Sequence, residues 1–215
     1  MKKYSTYFLL LICSLLISNS LHSQTFNDLV KSYREAQKNE DYEKMILILD
    51  TMLAKYPKNE PAITYFNRGN TYRHLKEFKK AVSDYTKTIE INPDYANAYT
   101  NRANSYYDLE EYEKAISDYT KVIEFKPNNP LSYYNRANAY SFLFNYDMAI
   151  SDYSKAIELK TDFADAYYNR GNKYFGTGMW KEAIKDWENA IKYAAGYESE
   201  LRNKINEAKY QIEKK

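Results

Sequence analysis

The chain is poor in the side chains from which most active sites are built. Its 215 residues include one cysteine, Cys13, and two histidines, His22 and His74. A lone cysteine excludes an internal disulfide, and its place in the opening segment removes thiol chemistry from the remainder. Glycine is scarce, and Gly176-Thr177-Gly178 lacks the Lys-Ser/Thr ending of a phosphate-cradling loop. No spacing of histidine, cysteine and carboxylates suits a metal, and pairs such as Glu110-Glu111 fall on expected exposed turns. With His74 the one histidine beyond the opening segment, no acid/base or nucleophile set converges. The chain is therefore read as a non-enzyme without cofactor or metal. Neither charge sign is in excess: Lys2 and Lys3 account for the formal net charge of +2. That leaves no basic field to hold nucleic acid or an anionic membrane.

Long hydrophobic runs are also missing, with one exception. Residues 8–17 form an apolar run interrupted only by Ser14, preceded by Lys2 and Lys3 and followed by a largely polar stretch over residues 18–23. The run is short of the roughly 20 apolar residues a bilayer span takes. It reads as an export signal over residues 1–23, cleaved after Ser23, which places the mature chain in the periplasm or outside the cell. A retained signal, acting as a membrane anchor, is the alternative and the only route to membrane contact. Cys13 follows Ile12 in mid-run, which is not the setting of a lipid-modified cysteine.

What is abundant is repetition and tyrosine. Asn67-Arg68-Gly69-Asn70, Asn101-Arg102-Ala103-Asn104, Asn135-Arg136-Ala137-Asn138 and Asn169-Arg170-Gly171-Asn172 recur at one fixed period, and there are 25 tyrosines. A constant step means one structural unit stacked several times. Within residues 62–95, Tyr65, Gly69 and Tyr72 share one helical face, and Ala81, Tyr85 and Thr88 share another. Lys76-Glu77 separates the two stripes, and Asn92-Pro93-Asp94 ends the second, because proline cannot continue a helix. The unit is a helical hairpin. Residues 96–129, 130–163 and 164–197 follow the same grammar, and Asn129-Pro130 is a helix start with a cap and a first-turn proline. All five prolines, at 57, 61, 93, 127 and 130, lie between units.

These triples, the alanines opening each second helix and the closing Pro93 and Pro127 resemble the tetratricopeptide repeat (TPR) family over residues 62–197. Thr161 and Ala195 stand where the closing proline is absent. The resemblance implies an all-α fold, an α-solenoid of TPR hairpins forming a right-handed superhelix. A degenerate repeat is expected over residues 24–61, where Leu29, Tyr33, Ala36 and then Met45, Leu49, Met52 make two stripes and Glu60-Pro61 adds two residues. Residues 198–215 are expected to form a capping helix, with Leu201, Ile205, Ala208 and Ile212 on one face; a docking helix for a partner is the alternative.

Each repeat carries an arginine 16 residues before an aspartate: Arg68 and Asp84, Arg102 and Asp118, Arg136 and Asp152, Arg170 and Asp186. They are expected to form structural ion pairs bridging the two helices or the neighbouring repeat. The other expected site follows from the family, whose first helices line a concave, partner-binding groove. On this chain that side holds Phe66, Asn70, Arg73 and His74; Thr100, Asn104, Tyr107 and Asp108; Tyr134, Asn138 and Phe142; and Tyr168, Asn172 and Phe175. Amides can pair with a peptide backbone, and rings supply desolvated area. The first asparagines, such as Asn67, belong either to the framework or to the ligand site. Family members that clamp a C-terminal carboxylate place Lys one turn before the groove Asn, where this chain has Phe66, Thr100, Tyr134 and Tyr168. The expected partner is a protein or peptide, in assembly or chaperoning of envelope proteins, with a glycan as the alternative ligand.

Overall fold

The computed structural model describes residues 25–214, so the expected export signal lies outside the described residues. Among the described residues there are eleven α-helices and no strand. The chain divides into two compact units, one ending at Ser105 and the other starting at Tyr106. The N-terminal unit contains α1 (Phe26–Lys38), α2 (Tyr42–Lys55), α3 (Pro61–His74) and α4 (Phe78–Ile91), each packed on the next. α5 (Ala96–Asp108) runs through the division. The C-terminal unit contains α6 (Tyr112–Phe125), α7 (Pro130–Phe142), α8 (Tyr146–Leu159), α9 (Ala164–Gly176), α10 (Trp180–Tyr193) and α11 (Glu198–Glu213), again each packed on the next.

The hairpin turns explain themselves locally. One residue in each adopts the left-handed conformation: Glu40, Lys76, Glu110, Phe144 and Gly178. A side chain there costs about 1 kcal/mol or more. A wrap-around hydrogen bond from the next residue offsets it, as Glu77 N–H donates to the Tyr72 carbonyl at 2.8 Å and Asn145 N–H to that of Tyr140 at 3.0 Å. Side-chain caps start other helices: the Thr25 hydroxyl and Asp28 form a reciprocal pair at α1, and Asn129 Oδ1 accepts from Leu131 N–H at 3.0 Å with Pro130 in the first turn of α7.

The second helix of each hairpin supplies the large buried ring: Tyr85, Tyr119, Tyr153 and Trp187. The first helix supplies room for it. A Cβ added to Gly69 would lie 2.8 Å from Cε1 of Tyr85, and one on Gly171 would lie 2.7 Å from Trp187. The tyrosines flanking these glycines and alanines pack at the margin of the core. Tyr65, Tyr72, Tyr133, Tyr140, Tyr167 and Tyr174 are half-buried, each with a guanidinium over its ring.

Leu29, Ala36, Met45, Ile48, Leu49 and Met52 form the core of the α1–α2 hairpin. In the C-terminal unit Leu201, Ile205 and Ala208 of α11 join Ala183, Trp187 and Ala190. Burying Leu201 alone contributes about 1.5–3 kcal/mol.

Candidate functional site

The recurring Asn-Arg-Gly/Ala-Asn phrase sits in mid-helix on each first helix, and its arginine is committed to the fold. Arg68 grips Asp84 with two parallel bonds, Nε to Oδ2 at 2.8 Å and Nη2 to Oδ1 at 2.7 Å. Arg136 holds Asp152 at 2.7 and 2.8 Å, and Arg170 holds Asp186 at the same distances. The remaining Nη1 reaches back to the second helix of the preceding hairpin: Arg68 to Asp50, Arg102 to Thr86, Arg136 to Thr120 and Arg170 to Ser154. Each guanidinium also lies over first-helix rings, Arg68 over Tyr65 and Tyr72 and Arg136 over Tyr133 and Tyr140. Donating to Asp84 raises the pKa of Arg68, and donating to Asp152 raises the pKa of Arg136. Asp84, Asp118, Asp152 and Asp186 are all buried. A planar fork that matches a carboxylate and stacks on rings is a task for Arg rather than Lys.

The asparagines join successive repeats. Asn70 Oδ1 accepts from the Tyr85 hydroxyl and from Asn101 Nδ2, both at 2.8 Å. Asn138 Oδ1 accepts from the Tyr153 hydroxyl at 2.6 Å and from Asn169 Nδ2 at 3.2 Å. In these two cases the last asparagine of one phrase receives the first asparagine of the next. At the end of the array, Asn172 Oδ1 accepts instead from Lys204 Nζ of α11 at 3.2 Å. The groove expectation for Asn70, Asn138 and Asn172 needs correcting on this point: their oxygens serve the framework, and only what remains of each amide can meet a ligand. Burial raises the pKa of both phenols, Tyr85 and Tyr153, so they stay protonated donors.

The rings are likewise partly engaged. Phe66 packs on Tyr95 with centroids 4.9 Å apart, Tyr134 on Phe163 at 4.8 Å and Tyr168 on Tyr197 at 4.8 Å. Tyr168 also donates to Glu200 at 2.6 Å. His74 stacks on Tyr42, and Phe175 packs against Trp187. The Thr100 hydroxyl donates back to the Ala96 carbonyl within its helix. Tyr107, Tyr112 and Phe142 form one ring cluster, and burial pushes the Tyr107 phenol up to about 12. Asn104 is half-buried, and Asp108 is exposed.

The same faces carry aliphatic side chains that the motif reading missed. Ile63, one turn before Phe66, is 42% exposed, and Leu131, one turn before Tyr134, is 52% exposed. Extending the i, i+3, i+7 face one turn toward each helix start would have found them. Phe142 is 53% exposed at the far end of α7. No cluster of three or more His, Cys, Asp or Glu side chains that could hold a metal occurs among the described residues. What these faces offer is apolar area, amide groups and a cation, Arg73.

A protein made of antiparallel helix pairs repeated every 34 residues, with a small residue on the first helix against a ring on the second, falls in the class of helical-hairpin repeat proteins. The chain belongs to the tetratricopeptide repeat family, whose model matches residues 62–95, 96–129, 130–163 and 164–195. Solved structures share the fold at low identity. MamA from Desulfovibrio magneticus RS-1 is 16% identical with a TM-score of 0.74, over 79% of this chain and 95% of that one. YrrB, described as a TPR protein with an unusual peptide-binding site, is 19% identical with a TM-score of 0.71, over 80% and 88%. A tetratricopeptide repeat protein from Parabacteroides merdae is 22% identical with a TM-score of 0.72, over 87% and 77%. A search of curated proteins found no significant match.

Proposed function

We propose that this protein is an exported scaffold that holds a peptide or protein partner on the faces of its first helices. Assembly or chaperoning of envelope proteins is the role that fits export. One observation carries the reading: α3 and α7 each keep an exposed aliphatic residue, Ile63 or Leu131, in line with a ring and an incompletely used amide. That combination is costly to expose for no purpose and suits a polypeptide, which brings both apolar side chains and backbone hydrogen-bonding groups. YrrB, a protein of the same fold, is described as having a peptide-binding site. A glycan is less well served, since Phe66, Tyr134 and Tyr168 each already turn toward another ring. The mechanism is binding by a preformed surface, with no chemical step.

The test is cross-linked capture from the envelope of cells producing wild type or an Ile63→Glu/Leu131→Glu variant. Both side chains are exposed, so the variant keeps its helical circular dichroism. At least one partner captured by wild type should be lost; an identical capture list rejects the face. Sequencing the mature N-terminus tests export, with Gln24 expected first and an intact Met1 opposing cleavage.

A further inference from the structure

We infer that the α3 face of the N-terminal unit selects a peptide bearing an acidic side chain, with Arg73 as the residue that reads it. The inference rests on the binding role proposed above and names the chemistry of the ligand. Among the groove residues of this unit, Arg73 stands apart from the arginines of the phrase. Arg68 spends three of its nitrogens on Asp84 and Asp50. Arg73 makes no side-chain hydrogen bond or ion pair among the described residues, and its Nε is buried with no acceptor. A guanidinium has five N–H donors and no acceptor, and a buried donor left unmatched is unfavourable. An acceptor carried by a ligand would match this half-buried guanidinium.

The surroundings specify the acceptor further. Phe66, Asn70 and Arg73 are spaced i, i+4, i+7 and lie on one face. Asn70 Oδ1 is taken by Tyr85 and Asn101, so what its amide has left to offer is Nδ2, a donor. Tyr85 spends its own proton on Asn70 and feels the positive charge of Arg73. Two donor groups side by side, one charged, call for an anion with two acceptor atoms, and a carboxylate matches a guanidinium in both shape and charge. A single cation balances a single negative charge, which favours Asp or Glu over a phosphate dianion.

The test is selection of random peptides displayed on phage against the full exported chain, in wild type and in Arg73→Gln and Arg73→Lys. Circular dichroism of each variant verifies the fold. Wild type should enrich one position in Asp or Glu, Arg73→Gln should lose that enrichment, and Arg73→Lys should retain part of it. A selected peptide, synthesised with an amidated C-terminus, should bind wild type about ten-fold or more tightly than its Glu→Gln counterpart. Dependence on a free C-terminus instead of the side chain would overturn the assignment. Peptides enriched without an acidic position, or with one that survives in Arg73→Gln, would overturn this inference and leave the binding role standing. Recovery of no peptide at all would overturn both.

Discussion

The N-terminal and C-terminal units build the same asparagine junction and then part company at one residue. In the first, Asn70 accepts from Tyr85 and Asn101; in the second, Asn138 accepts from Tyr153 and Asn169. Three positions further along the helix stands Arg73 in one and Ser141 in the other. Ser141 lies 3.3 Å from the Tyr153 hydroxyl and completes a neutral, self-contained network. Arg73 completes nothing and leaves a buried Nε without a partner. The backbone and the junction are therefore framework, and the residue after it decides whether a face is closed or wants a ligand. A repeat protein varies its recognition in this way without altering its stacking.

The largest effect should come from what the two units share. Replacing Asp152 by Ala strands Arg136 in a half-buried site, and Asp84→Ala does the same to Arg68. Breaking such a pair typically costs about 3–5 kcal/mol. Arg68 keeps Asp50 as a second carboxylate, whereas Arg136 has only the Thr120 hydroxyl. Urea denaturation should show the Asp152 variant as the more damaged. Equal losses would mean that Asp50, itself rather exposed, contributes nothing.

The glycine slot should come next. Gly69→Ala drives a methyl group into the Tyr85 ring, whereas Ala137 already holds a methyl group at the matching place below Tyr153. Overpacking there should cost about 1–3 kcal/mol, and Ala137→Gly should cost about 1 kcal/mol through helix propensity alone. Thermal melts that rank the two changes the other way would show that the rings are not what separates the slots.

Much of this was legible in the sequence because a hairpin of fixed turn length has a fixed register. An Arg and an Asp 16 residues apart face each other across the turn. The same spacing read backwards leads from Arg102 to Thr86, from Arg136 to Thr120 and from Arg170 to Ser154, a signal present but overlooked. Arg68 finds Asp50 at 18 residues, as the two additional residues Glu60-Pro61 require. The asparagine junction was harder to see. Its partners lie in different repeats, 31 residues apart, so the pairing depends on how one hairpin stacks on the next rather than on helical periodicity. Nor does periodicity separate a tyrosine buried in the core from one shielded by an arginine, since both lie on the same stripe.

Alkaline pH should affect both units alike, through their junction phenols. Burial raises the pKa of Tyr85 and Tyr153 above the ordinary 10.0, and that of Tyr107 to about 12. A raised phenol pKa favours the protonated folded state. This contribution is complete below the unfolded-state pKa near 10 and is lost as pH rises toward the folded-state value. Stability should be flat from pH 8 to about 9.5 and fall above 10, with a fraction of tyrosinate absorbance appearing only as helicity is lost. Tyrosines that all ionise together near pH 10 in the folded protein would contradict buried phenols at the junctions.

The smallest effect has the opposite sign and bears most directly on the difference between the units. If Arg73 is spare in the free protein, Arg73→Met removes an unmatched buried donor while keeping an aliphatic stem of similar length. The variant should be more stable by about 1 kcal/mol, the lower end of what an unsatisfied buried group costs. Ser141→Ala should instead lose a few tenths to about 1 kcal/mol, because its hydroxyl has a partner in Tyr153. The two substitutions both remove polarity from the same repeat position, yet calorimetry should find their effects of opposite sign. A destabilised Arg73→Met would mean that the guanidinium is bonded within the folded chain, which would make both faces closed. A stabilised one means that this unit tolerates a weaker fold at the residue kept free for recognition, the trade expected where a binding site and a framework share one helix.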